Sequence, residues 1–205
     1  MPGYFIPTTQ MRDEIEIKRS RFIATLIPVA DRAQADAALN ALRHEFSDAT
    51  HNCYAYIAGA PGSTGDIACS DDGEVAGTAG RPLLNLLQHS GLGEVLLVVT
   101  RYYGGTLLGS GGLVRAYSDA AKHVLDAVPR QLKRRRRRLN LTFDFAFESE
   151  IRRVLNGFQA EIDAPGYADR ISMCVQVDEM QISELQQQLN NVTRGQVLIR
   201  PIDNV

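Results

Sequence analysis

The chain has 205 residues, 44% hydrophobic, 22% charged and 7% aromatic, which fits one large domain or two small ones and excludes fibrous, low-complexity or largely disordered classes. The formal net charge of -2 hides an asymmetry: residues 1–128 carry 10 Lys/Arg against 14 Asp/Glu, residues 139–205 carry 5 against 10, and the ten residues between them hold seven basic side chains and no acid. Two acidic bodies are thus joined by one intensely basic segment, and the overall pI says little about nucleic-acid binding.

The longest aliphatic run, Val95 to Val99, is far short of the ~20 residues of a membrane span. Met1 to Arg21 lacks the apolar stretch of a secretory signal. Cys53, Cys69 and Cys174 are odd in number, widely spaced and without a CxxC pair. That usage fits a reducing cytoplasm and argues against a disulfide framework or a structural zinc site. A cytoplasmic protein with no membrane partner is expected.

In chain order, Glu14 to Lys18 and Ser20 to Val29 read as strands. Asp31 is placed to cap a helix whose apolar residues run from Ala35 to Phe46. His51 to Ala58 alternates as a strand, Pro61-Gly62-Ser63-Thr64-Gly65 is a turn, and Ile67 to Ser70 is a short paired strand. Thr78 is expected to cap a helix with Pro82 in its first turn, ending at Gly91. Glu94 to Arg101 reads as a strand buried on both faces, and a glycine-rich segment from Tyr103 to Gly112 opens a long amphipathic helix through Val128. Pro129 ends that helix. Five consecutive arginines repel one another, so this segment is expected as an exposed linker over 131–138 or the start of an edge strand. Leu139 to Phe147 reads as a strand, Ser149 as a helix cap, Ala160 to Ala164 and Arg170 to Val177 as strands, Asp178 as a second cap, and Gln196 to Ile202 as a closing strand. The order β-α-β-β-α-β is the ferredoxin-like unit. The domains expected are 1–130 and 139–205.

Four groups are candidates for chemistry. Gly104, Gly105, Gly109, Ser110, Gly111 and Gly112 lead into a helix start, where free N–H groups and the helix dipole favour phosphate; Arg101 and Arg115 are placed to close such a site. The segment matches neither GxGxxG nor the GxxxxGK[ST] phosphate loop, and its glycines alternatively serve only a tight strand-to-helix turn. Asp71, Asp72 and Glu74 are candidates for Mg²⁺ or a general base, or for capping neighbouring N–H groups in a solvated loop. His51 and Cys53 share one strand face, which suits either packing or a Cys-His pair. Lys133, Arg134, Arg135, Arg136, Arg137 and Arg138 suit a salt-sensitive nucleic-acid contact or an intramolecular clamp onto the acidic bodies.

Two strings carry a resemblance: Asp71-Asp72-Gly73-Glu74-Val75-Ala76-Gly77-Thr78-Ala79-Gly80-Arg81-Pro82, and Thr100-Arg101-Tyr102-Tyr103-Gly104-Gly105 continuing through Leu108-Gly109-Ser110-Gly111-Gly112-Leu113-Val114-Arg115-Ala116-Tyr117. They resemble the paired signatures of the IMPACT family in its bacterial YigZ-type form, with Val75 where the family usually has proline; the arginine run is no part of that resemblance. The resemblance implies an α+β protein of two domains: an N-terminal IMPACT domain with the fold of the second domain of the small-subunit ribosomal protein five, and a ferredoxin-like C-terminal domain similar to domains of elongation factor G. It further implies a role in translation, since eukaryotic IMPACT proteins regulate translation through a partner of a starvation-sensing kinase. The expected function is non-catalytic, with RNA or the ribosome as partner and no cofactor. The alternatives are a phosphotransferase or hydrolase using the glycine loop with Mg²⁺ on the acidic cluster, and a module that docks a protein partner.

Overall fold

The computed structural model describes residues 3–62 and 66–202; Ser63 to Gly65 of the expected turn lie outside the described residues. They divide into a unit of Tyr4–Lys133 and one that groups Gly3 with the residues from Arg134 onward. No helix among them is long and apolar enough to cross a membrane.

The N-terminal unit contains β1 (Gly3–Pro7), β2 (Met11–Ile17), β3 (Ser20–Pro28), α1 (Arg32–Glu45), β4 (His51–Ile57), β5 (Ile67–Ser70), α2 (Gly80–Ser90), β6 (Val95–Tyr102), α3 (Ser110–Ala127) and β7 (Arg130–Arg134). The aliphatic run of β6 makes it central, buried along all but its last residue. It pairs antiparallel with β3 on one side and β4 on the other, in the sheet order β2-β3-β6-β4-β5. Period-two alternation then divides its side chains between two cores. Leu97 and Val99 join Phe22, Leu26 and Cys53 beneath α2 and α3. Leu96 and Val98 join Tyr56 beneath Leu39 and Leu42 of α1. A separate two-stranded sheet pairs β1, which the sequence reading does not place, with β7, where the basic segment does start as an edge strand.

Two turns position the candidate site. The β2–β3 hairpin turns on Lys18 and Arg19, whose φ angles of 49° and 66° are the left-handed pair a two-residue turn requires. Gly104 lies against this turn so closely that a Cβ would fall 2.0 Å from the Arg19 carbonyl carbon and oxygen. Then Gly109, at φ 72°, turns the chain into α3 with no side-chain cap. Leu113, Ala116, Tyr117, Ala120, Ala121, Val124 and Leu125 form its buried stripe as expected.

The C-terminal unit holds β8 (Arg136–Phe143), α4 (Glu148–Gly157), β9 (Glu161–Ile162), β10 (Gly166–Tyr167), β11 (Ile171–Asp178), α5 (Ile182–Thr193) and β12 (Leu198–Ile202). The sheet order is β10-β11-β8-β12, with β9 also on β11. This is the ferredoxin-like arrangement, and α4 and α5 bury Ile151, Leu155, Leu185 and Leu189 against it.

Several local expectations change. Thr78 does not cap α2: its hydroxyl donates to Val75 O, and Ala79 stands at the cap position without a side-chain bond. Strand β8 stops at Phe143 because Asp144 accepts from Ala146 N and starts a 3-10 turn. Ser149 lies inside the first turn of α4, whose cap position is Phe147. Asp178 caps a 3-10 turn that leads into α5. The segment expected as a linker contains the break between units, and 136–138 begin β8. That strand is internal to its sheet, since β11 and β12 flank it.

Candidate functional site

The acidic loop between β5 and α2 is built from the inside. Asp71 accepts from Gly77 N at 2.8 Å with Oδ2, and from Ala79 N and Gly80 N at 3.0 and 2.8 Å with Oδ1. It therefore supplies the cap that Thr78 does not. Burial alone raises its pKa, but the three donated N–H groups hold the carboxyl below the usual range. Asp72 accepts from Arg43 and from Asn52 N, both at 2.8 Å. Glu74 turns inward, its side chain 5% exposed, and pairs with Arg101, whose side chain is 6% exposed. Its Oε2 also accepts from Tyr117 Oη at 2.9 Å. Desolvation pushes the Glu74 pKa up, but the Arg101 and Tyr117 bonds outweigh it and hold the carboxyl below its ordinary value.

Of the two readings of the acidic cluster, these contacts are those of capping and internal pairing. All three carboxylates are engaged by backbone N–H groups, arginines or a phenol, and no group among the described residues has three side chains poised for a metal. Cys53 is fully buried, with Sγ 3.0 Å from Asp71 O and 3.3 Å from Tyr117 Oη. Burial pushes its thiol up to about 12, and its side chain packs in the core beneath α2 and α3. His51 is 3.0 Å from Asp72 O through Nδ1 and 3.8 Å from Glu74 Oε1 through Nε2. It makes no pair with Cys53.

Two hollows flank the start of α3. The first, of about 290 Å³, is lined by His51, Glu74, Val75, Arg101, Tyr103, Leu107, Gly109 and Ser110 among others. Of the three acids, only Glu74 meets the glycine segment there. Arg101, expected to clamp phosphate, is 5% exposed and engaged by Glu74. The second hollow, of about 250 Å³, is lined by Lys18, Leu108, Gly112, Arg115 and Asp119. Lys18 and Arg115 make no side-chain hydrogen bond or ion pair among the described residues, whereas Asp119 lies 3.6 Å from Lys122. Gly105, Gly109, Ser110 and Gly111 are exposed, and the first N–H groups of α3 lack intrahelical acceptors.

The basic run behaves differently. Arg134 pairs with Asp178 at 3.3 Å, Arg136 with Glu161, Arg137 with Glu179 at 3.0 Å and Arg138 with Asp163 at 2.5 Å. Arg135 O accepts from Glu179 N at 2.9 Å, and Lys133 pairs with Glu94 at 2.5 Å. The five arginines balance the five-acid excess of the residues that follow. Sequence reasoning missed Lys18 and Tyr117. The first was signalled by the two-residue gap between alternating strands, the second by a hydroxyl on an otherwise apolar helical stripe.

The fold and these loops define a two-domain α+β protein in which an IMPACT-type sheet-and-helix unit precedes a ferredoxin-like unit. The Impact N-terminal domain family model matches residues 18–125, and a domain of unknown function (DUF1949) matches 141–196. The IMPACT family member of Haemophilus influenzae is 36% identical over 99% of this chain and 98% of its own length. YigZ of Escherichia coli is 35% identical over 99% and 100%. Protein IMPACT of Xenopus laevis is 40% identical over 51% of this chain and 34% of its own. A crystal structure of a hypothetical protein, 35% identical, covers 100% of both chains with a TM-score of 0.74. The chain belongs to the IMPACT family.

Proposed function

We propose that this protein is a non-catalytic, translation-associated regulator that acts in the cytoplasm by contacting RNA or the ribosome through the start of α3. The observation that carries the reading is one of charge. Beside the glycine-opened helix start, Lys18 and Arg115 have no ionic partner among the described residues, while Asp71, Asp72 and Glu74 are all internally engaged. Gly109, Ser110, Gly111 and Gly112 leave N–H groups open to a phosphate oxygen, Gly104 lets the loop approach the Lys18-Arg19 turn, and Gly105, at φ 79°, turns the chain beyond it. Membership of a family whose eukaryotic members regulate translation supports the biological setting. The arginines of 134–138 contribute less, because four of the five already hold carboxylates. A phosphotransferase or hydrolase is not favoured, since the acids it would need for Mg²⁺ are occupied.

The test is co-sedimentation with ribosomes at low and moderate salt, comparing the protein with a Lys18→Gln/Arg115→Gln variant. Binding that weakens with salt and with the substitutions is expected. No sedimentation at either salt would overturn the reading.

A further inference from the structure

The larger hollow beside α3 has a character that phosphate contact leaves unexplained. Val75, Leu107, Leu108 and Leu113 line it together with Tyr103. Three of these are markedly exposed, Tyr103 at 46%, Val75 at 54% and Leu107 at 82%. Grouped around one concavity, they form an apolar site and not scattered surface residues. Tyr103 is also held in place. The Arg101 guanidinium lies 5.5 Å from its ring centroid and equally 5.5 Å from that of Phe22, and Glu74 fixes the guanidinium in turn. Tyr103 N donates to Thr50 Oγ1 at 3.1 Å, anchoring the backbone as well. Leu108 lines both hollows, so the apolar one adjoins the one that carries Lys18 and Arg115.

We infer that this hollow takes a single unpaired nucleobase of single-stranded RNA, stacked on Tyr103, with the adjoining phosphate at the start of α3 beside Arg115. The inference rests on the RNA reading above and narrows it from RNA in general to unpaired nucleotides. Bases in a duplex are paired and stacked on one another and do not enter a hollow, whereas splayed bases stack on aromatic side chains. At about 290 Å³ the hollow sits near the ~300 Å³ lower bound of small-molecule sites, which suits one base and not a run of them. Its neighbourhood has the matching charge, because among the described residues Lys18 and Arg115 on the adjoining rim hold no ionic partner while Asp119 there pairs with Lys122.

The experiment is fluorescence anisotropy of the full chain with a labelled oligouridylate and with a blunt duplex of the same length, across a salt series. The single strand is expected to bind at least about tenfold more tightly. Tyr103→Ala is expected to weaken it by roughly 5- to 150-fold, the range for loss of one stacked base, with an unchanged salt slope. Tyr103→Phe should retain binding, and Arg115→Gln should lower the slope by about one. Near-UV circular dichroism verifies that each variant is folded. Equal affinity for duplex, or a Tyr103→Ala effect within about twofold, overturns the inference. If ribosomes still sediment the protein in that case, the RNA reading stands alone; if they do not, both fall.

Discussion

Replacing Glu74 by alanine tests the central claim about the acidic loop, that its inward member is part of the fold's interior. Glu74 and Arg101 are 5% and 6% exposed at their side chains, so removing the carboxylate leaves a buried guanidinium whose remaining polar contact is Ser20 Oγ at 3.5 Å, and whose Nε has no partner. Tyr117 loses its acceptor at the same time. Breaking a buried pair on one side costs about 3–5 kcal/mol, a large share of the ~5–15 kcal/mol that holds a domain folded. Denaturation followed by near-UV circular dichroism reports the right unit, since the chain has no tryptophan and all its tyrosines except Tyr167 precede residue 118. The paired replacement Glu74→Leu/Arg101→Met should recover most of the loss, because both charges leave together. A Glu74→Ala loss below about 1 kcal/mol, the scale of exposed pairs, would refute the reasoning.

Acid should act on the same groups. Asp71 and Glu74 have depressed folded-state pKa values. Their stabilisation is therefore full above the ordinary carboxyl values of about 4 and is lost as pH falls through the lower folded ones; the denaturation midpoint should hold steady from about pH 7 to 5 and fall below about 4. Replacing Arg134 to Arg138 together by glutamine should destabilise the C-terminal unit by about 1–4 kcal/mol at low salt, at up to ~1 kcal/mol per exposed pair, and by less in high salt, as read by thermal melts. Gly104→Ala should cost about 3 kcal/mol or more through the clash with Arg19, measured by urea denaturation. Alkylation near pH 8 should label Cys69 and Cys174 while sparing buried Cys53 until the protein is unfolded, as peptide mapping would report.

Most of the fold was legible because its signals are local. The aliphatic β6, the α3 stripe and the alternation in β8 each state their own period, and the β-α-β-β-α-β order follows from them. Caps were less legible, since Asp71 caps α2 from across a loop and the nearer Thr78 is drawn to Val75 O. The arginine run was legible in part. Its side chains are exposed, as mutual repulsion suggests, and the pairs with Glu161, Asp163, Asp178 and Glu179 are those of an intramolecular clamp; what repulsion alone did not show is that 136–138 belong to an internal strand. The glycine segment announced a helix start open to anions. Nothing local in Arg101 showed that Glu74 would engage it, because that pair joins residues 27 apart in the chain.

The pairing of β1 with β7 carries a consequence for synthesis on the ribosome. Thr8 N bonds to Pro129 O at 3.0 Å, so the last strand of the N-terminal unit closes onto its first. Local hairpins can zip as soon as they emerge, but β1 has no partner strand until β7 has been made. At ~5–20 residues per second, the strand at the very start of the unit waits roughly 6–25 s for that partner, with the Phe5–Leu92 bridge the earlier backbone contact open to it. Its first strand is thus paired along its length only when the last strand of the unit has been made.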